Sequence, residues 1–272
     1  MSILLRGLLI LAVLCQPLTT HATAQRIASL NLCLDQLLLA WVPRQQIASV
    51  TYLSTDPQLS TIAAQLDGIH INHGLAEELI PLQPDLIVAG EFGAGDAVRL
   101  LQHFDYRVER IALPRTLDDI IVHMEALGEL VGAQAQAAVM IDELREELAA
   151  LDAQPVTEKT AAIWYSPNGI VAGRATLEHE LMERAGFRNL AAEQGVVSFA
   201  QMDLEQLVAA QPEVLIVEGG YVQAFSVARE YLEHPALLRS SRMIELPAAL
   251  SVCSAPVVAD VLRVLREQRV AP

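Results

Sequence analysis

Two stretches of this chain repeat each other, and the repeat limits the fold more than any other feature. EELIPLQPDLIVAG runs from Glu77 to Gly90, and EQLVAAQPEVLIVEG runs from Glu205 to Gly219. Aligned on Pro84 and Pro212, both read glutamate, six residues, proline, an acid, then an apolar run ending in glycine. Proline lacks an N–H and restricts the residue before it, so it stops a helix. Leu86-Ile87-Val88 and Val214-Leu215-Ile216-Val217 suit parallel strands buried on both faces. The unit is therefore helix, stop, strand. Its recurrence about half a chain apart implies two similar α/β lobes rather than a short-period solenoid.

Between the repeats lies a long helical pattern, Thr116 to Leu151. Thr116 and Asp119 have capping-box spacing, which opens a helix. Gly128 and Gly132 weaken its first half, so a break is expected near Gly132. From Ala133 a second helix runs to Leu151, with Ile141, Leu144, Leu148 and Leu151 on one face. A helix of that size spans about 28 Å and can cross from one lobe to the other.

The N-terminus reads as an export signal. Arg6 precedes the apolar run Gly7–Leu14, and Ala22-Thr23-Ala24 supplies a small-residue cleavage site before Gln25. The run is too short to span a bilayer well, and no later run is long enough. Cys15 raises a lipid anchor, which the bulky Leu14 before it disfavours; the expectation is a soluble protein exported to the periplasm. The formal net charge is −15, and cleavage removes Arg6 with no acid, making the chain more acidic still. Such a chain should avoid nucleic acid and anionic membranes and suit a basic partner surface. Cleavage leaves Cys33 and Cys253, one on each lobe, in a compartment that permits a disulfide.

The first lobe is expected to hold strands at Arg26–Leu30, Ile47–Val50, Asp85–Ala89 and Tyr106–Leu113. The second should hold strands at Thr160–Trp164, Val214–Val217 and Met243–Leu246, a helix at Leu177–Ala185 and a terminal helix at Val257–Arg266. Ligands of open parallel sheets bind beyond the carboxyl ends of the strands. The loops there carry Tyr52, Phe92, Trp164 or Tyr165, and Tyr221, and Phe199 precedes the second repeat helix. Aromatic residues are only 4% of the chain, so their gathering at loop tips points to a ring-lined cleft for a flat or bulky ligand. Gly90–Gly95 is read as a mobile cleft loop; its glycines do not fit a dinucleotide turn, because Val98 stands where the third is needed.

The signal, SLNLCLDQLLLAW, the two repeat blocks, the central helix and YSPNGIVAG together resemble class III periplasmic substrate-binding proteins of ABC importers, the iron–siderophore, haem and cobalamin binders. The resemblance covers about residues 26–268. It implies an α/β fold of two Rossmann-like lobes joined by a single long backbone helix, with the ligand cleft between lobes. The expected boundaries are a signal peptide at 1–24, an N-terminal lobe at 25–115, a helical segment with the bridging helix at 116–151, and a C-terminal lobe at 152–272. It implies a monomer without catalytic activity or cofactor, which delivers a metal chelate or corrinoid to a permease and its ATPase.

The resemblance also assigns roles. Glu77 and Glu205, seven residues before each repeat proline, would dock against permease arginines, with Glu78 and Asp203 as neighbours. Paired carboxylates on two lobe tops can meet paired guanidiniums bidentately. Phe199 and Tyr165 fall near ring positions of cobalamin binders, while Gly90-Glu91 replaces another. Arg174 and Arg115 are candidates for an anionic ferric complex, and Tyr52, His70, His73 and Tyr221 for an axial ligand to haem iron. Cys33 and Cys253 should lie near the ligand, as contacts or as a bridge across the closed cleft. Two other classes stay open: a binder of bare zinc or manganese, which needs three or four converging ligands that His70 and His73 alone do not supply, and an exported enzyme, for which the chain offers no G-x-S-x-G, H-E-x-x-H or C-x-x-C.

Overall fold

The computed structural model describes residues 24–269 apart from 155, 157, 220–231 and 233. Its first half is a parallel sheet of five strands: β1 (Ile27–Ser29), β2 (Ile47–Thr51), β3 (His70–Asn72), β4 (Leu86–Gly90) and β5 (Val108–Ile111), in the order β3-β2-β1-β4-β5. Four helices accompany them: α1 (Leu32–Trp41), α2 (Ala76–Leu79), α3 (Gly95–His103) and α4 (Leu117–Val131). α1 starts where Asn31 accepts from the N–H groups of Cys33 and Leu34. β3 and α3 go beyond the sequence expectations. β3 is three residues long, too short to show a period, and α3 grows out of the glycine-rich segment that reads as loop.

α4 is followed by α5 (Gln134–Asp152). The Thr116 hydroxyl accepts from Asp119 N–H while the Asp119 carboxylate accepts from Thr116 N–H, closing the expected capping box. Gly132 ends α4 at φ +71°, the left-handed cap that glycine adopts without strain. The break is thus where sequence places it, and two helices rather than one unbroken rod fill the segment.

The second half carries β6 (Thr160–Ser166), β7 (Ile170–Ala172), α6 (Leu177–Ala185), β8 (Phe187–Asn189), α7 (Leu190–Glu193), β9 (Phe199–Gln201), α8 (Leu204–Ala210) and β10 (Val214–Gly219). Then come α9 (Pro235–Ser240), β11 (Arg242–Pro247), α10 (Ala248–Ser251) and α11 (Val258–Arg269). β6 pairs in parallel with β8 and β10, and β10 with β11. That set matches β1 with β2 and β4, and β4 with β5. The repeat glutamates occupy equivalent places: Glu77 is the second residue of α2 and Glu205 the second of α8. β7 and β9 extend the second sheet in antiparallel fashion.

One apolar cluster joins the halves. It includes Leu34, Leu38 and Trp41 of α1, Ile120 and Met124 of α4, Ile141 and Leu144 of α5, and Trp164, Phe187, Val258 and Leu262 of the second half. The faces away from this cluster are covered separately, by Ala76, Leu79, Val98 and Leu101 in the first half and by Tyr165, Leu207 and Leu237 in the second.

Candidate ligand-binding site

A cleft opens between the sheets, where the β5–α4 connection and the segment after α10 face each other. It has two compartments, of about 760 and 590 Å³ of empty space. The first is lined by Cys33 and Leu37 of α1, Glu91 and Phe92 after β4, and His123 and Met124 of α4. The second is lined by Arg115, Trp164, Glu178, Phe199, Leu250 and Cys253. Leu113, Pro114, Val252 and Ser254 border both. Between them Cys33 and Cys253 form a disulfide with Cα atoms 5.2 Å apart, joining positions separated by 220 residues. Of the two readings of these cysteines, the structure has the bridge.

Three of the candidate rings line the cleft. Phe92 and Phe199 are large exposed apolar groups, 66% and 42% accessible, on opposite sides of the cleft. Trp164 also lines the cleft but is 4% accessible, packed into the shared core beneath it. Tyr165 is a correction. It is buried in the outer cluster of the second half and borders neither compartment. β6 continues to Ser166, so Trp164 and Tyr165 point to opposite faces of a strand rather than into a turn. Tyr221 lies outside the described residues. Arg174 is exposed and borders neither compartment; its backbone pairs with Val196 and Ser198.

Tyr52 is exposed and borders neither compartment; its turn is held by a buried acid that the sequence pattern does not single out. Asp35 is fully buried in α1. Its Oδ2 accepts from Thr51 N–H (2.9 Å), the Thr51 hydroxyl (2.6 Å) and the Ser54 hydroxyl (2.7 Å). Burial pushes its carboxyl up to about 6, and the hydroxyls of Ser29, Thr51 and Ser54 offset this only in part. The signal was the composition of α1: an acid set among leucines on a helix that is apolar on nearly every side belongs to a buried element. Asp35 fixes the Tyr52–Thr55 turn, and the Tyr52 ring stacks on His73 with centroids 5.4 Å apart. His73 Nδ1 lies 2.9 Å from Glu78 Oε1, and its backbone N–H donates to Glu78 Oε2 at 2.6 Å. These bonds hold the Glu78 carboxyl below its usual range. Glu78 is thereby committed to the start of α2, and Asp203 to capping α8 by accepting from Gln206 N–H. Glu77 and Glu205 beside them are exposed.

One acid, Glu178, lines the second compartment. Burial holds the Glu178 carboxyl above its usual range, and the nearby Glu218 charge adds to the effect. Glu218 is itself raised by burial, tempered by the Ser166 hydroxyl at 3.3 Å. Among the described residues no group of three or more His, Cys, Asp or Glu is arranged to hold a metal ion, and no helix is long and apolar enough to cross a membrane.

Comparison with known proteins adds to this geometry. Residues 27–249 match the family model described as periplasmic binding protein. A cobalamin-binding protein of Halobacterium salinarum is 26% identical over 207 residues, 73% of this chain. The chain spans only about half of that relative, 55% of its length. A vitamin B12-binding protein of Photorhabdus laumondii is 29% identical over 226 residues, covering 80% of this chain and 78% of the relative. Among solved structures, a periplasmic heme binding protein from Pseudomonas aeruginosa superposes with a TM-score of 0.73 over 90% of this chain and 92% of that one, at 23% identity. At that identity the likeness bears on the fold, two α/β lobes with a cleft between them.

Proposed function

The chain belongs to the periplasmic binding protein family, and from that premise we propose that it is the substrate-binding protein of an ABC importer, capturing a metal chelate or corrinoid in the periplasm and handing it to a membrane permease. The observation that carries this reading is the cleft, with Phe92 on one side, Phe199 on the other and Trp164 in its wall. Each compartment thus offers an aromatic face to a flat ligand, Phe92 in the first and Trp164 and Phe199 in the second, with contact area supplying the affinity. The relatives named for cobalamin and the neighbour named for heme support the same ligand class. The protein performs no chemistry on its cargo. Glu77 and Glu205 dock the loaded receptor, one on each lobe, onto basic groups of the permease. The N-terminal segment directs export and is removed.

A thermal-shift panel on the mature protein tests the reading, with cyanocobalamin, haemin, several ferric siderophores, zinc and manganese. A ligand bound only by the native state raises the unfolding midpoint by mass action. A saturable rise with one chelate or corrinoid and none with the bare ions is expected. A rise with zinc or manganese alone would replace the chelate reading with that of an ion receptor.

A further inference from the structure

The disulfide stands where the two compartments meet. Cys33 lines only the first and Cys253 only the second, while the residues on either side of Cys253 border both. The bond therefore runs through the partition. Its ends come from different lobes, one from the first turn of α1 and one from the segment after α10. A disulfide tolerates Cα separations up to roughly 6.8 Å, and here they are 5.2 Å apart. At this level the lobes can part by only about 1.5 Å while the bond is intact.

We propose that the Cys33–Cys253 disulfide decides which ligands the receptor admits. The oxidised cleft takes a flat or compact chelate that fits one compartment, and it excludes a corrinoid until the bond is cut. This rests on the chelate-receptor reading and narrows it. Each compartment has the size of an ordinary small-ligand pocket. A porphyrin is thin and enters a slot by its edge. A corrinoid carries amide arms around its ring and a nucleotide below it, so it needs both compartments at once. The bond forms when the two thiols pass two electrons and two protons to the disulfide of an exchange partner, which becomes a dithiol. A trialkylphosphine reverses this: the sulfur–sulfur bond breaks, water supplies oxygen to the phosphine and protons to the thiolates, and phosphine oxide leaves.

The test uses the mature chain in three forms: oxidised, phosphine-reduced, and the C33S/C253S variant, with thiols counted in each. Haemin, ferrichrome and cyanocobalamin are titrated against all three, with tryptophan fluorescence as the readout. Cyanocobalamin is expected to bind the oxidised form about tenfold or more weakly than the other two. Equal or tighter binding to the oxidised form, or cyanocobalamin binding to none of the three while another probe binds, overturns the proposal. Silence of every probe toward every form removes the receptor reading beneath it. Hydrogen exchange in β4 and β10 reports whether the reduced and variant forms stay folded. If they do not, the oxidised protein decides alone: tighter binding of cyanocobalamin than of both haemin and ferrichrome overturns the proposal, and the reverse order supports it.

Discussion

Gly128 of α4 lies so close to Ala137 of α5 that a Cβ on the glycine would stand 2.7 Å from the alanine Cβ. The glycine that weakens the helix in sequence is what lets the two helices touch.

A larger side chain should therefore force the helices apart. Gly128→Val is expected to cost roughly 1–3 kcal/mol by overpacking, read as a lower midpoint in urea with an unchanged slope. Ala137→Gly in the same chain should restore part of the loss, because the two positions share one contact.

The exposed rings should separate from the buried one. Phe92→Ala and Phe199→Ala remove exposed surface, so each should leave stability within about 1 kcal/mol, and the one in the occupied compartment should weaken capture of the chelate. Tyr165→Ala empties a packed site and should cost about 3–5 kcal/mol. Calorimetry and ligand titration on the three variants check the division; a Tyr165 variant that lost affinity at full stability would contradict its place in the core.

Charge reversal at the two repeat glutamates should uncouple capture from delivery. The E77R/E205R variant is expected to bind cargo normally and to lose uptake by roughly 100-fold in a transport assay, as when close interfacial charge pairs are broken. Uptake that survived would remove these residues from the docking surface.

Asp35 makes stability depend on pH in a set direction. Its carboxyl titrates at about 6 in the fold against 3.8 for the free group. Between those values the folded chain holds a proton that the unfolded chain has lost. Stability from this group is complete below pH about 4, falls as pH rises to about 6, and is flat above, a change on the order of 3 kcal/mol. Asp35→Asn keeps an oxygen for Thr51 and Ser54 and cannot ionise, so denaturant midpoints measured from pH 4 to 7 should lose this slope.

Much of this architecture is legible in the chain because it is built from local signals. Pro84 and Pro212 mark the same helix-to-strand step in both halves, and Gly132 marks the break between α4 and α5. Phe92, Trp164 and Phe199 reach the cleft because loops and edges beyond parallel strands face it. Tyr165 is less legible, since its face depends on where the strand ends to within one residue. Asp35 is less legible still. A buried acid is stabilised by Thr51 and Ser54, 16 and 19 residues away, and no local pattern announces partners at that distance.

The apolar cluster that passes from α1 through α4 and α5 to α11 has a consequence for how the molecule comes apart. Each half keeps a smaller cluster of its own, but the main one is shared, so neither half is expected to fold by itself. Heat or denaturant should melt the two halves in one cooperative transition, and a chain cut at Gly132 with the Cys33–Cys253 bond reduced should yield two fragments that stay unstructured until they are mixed.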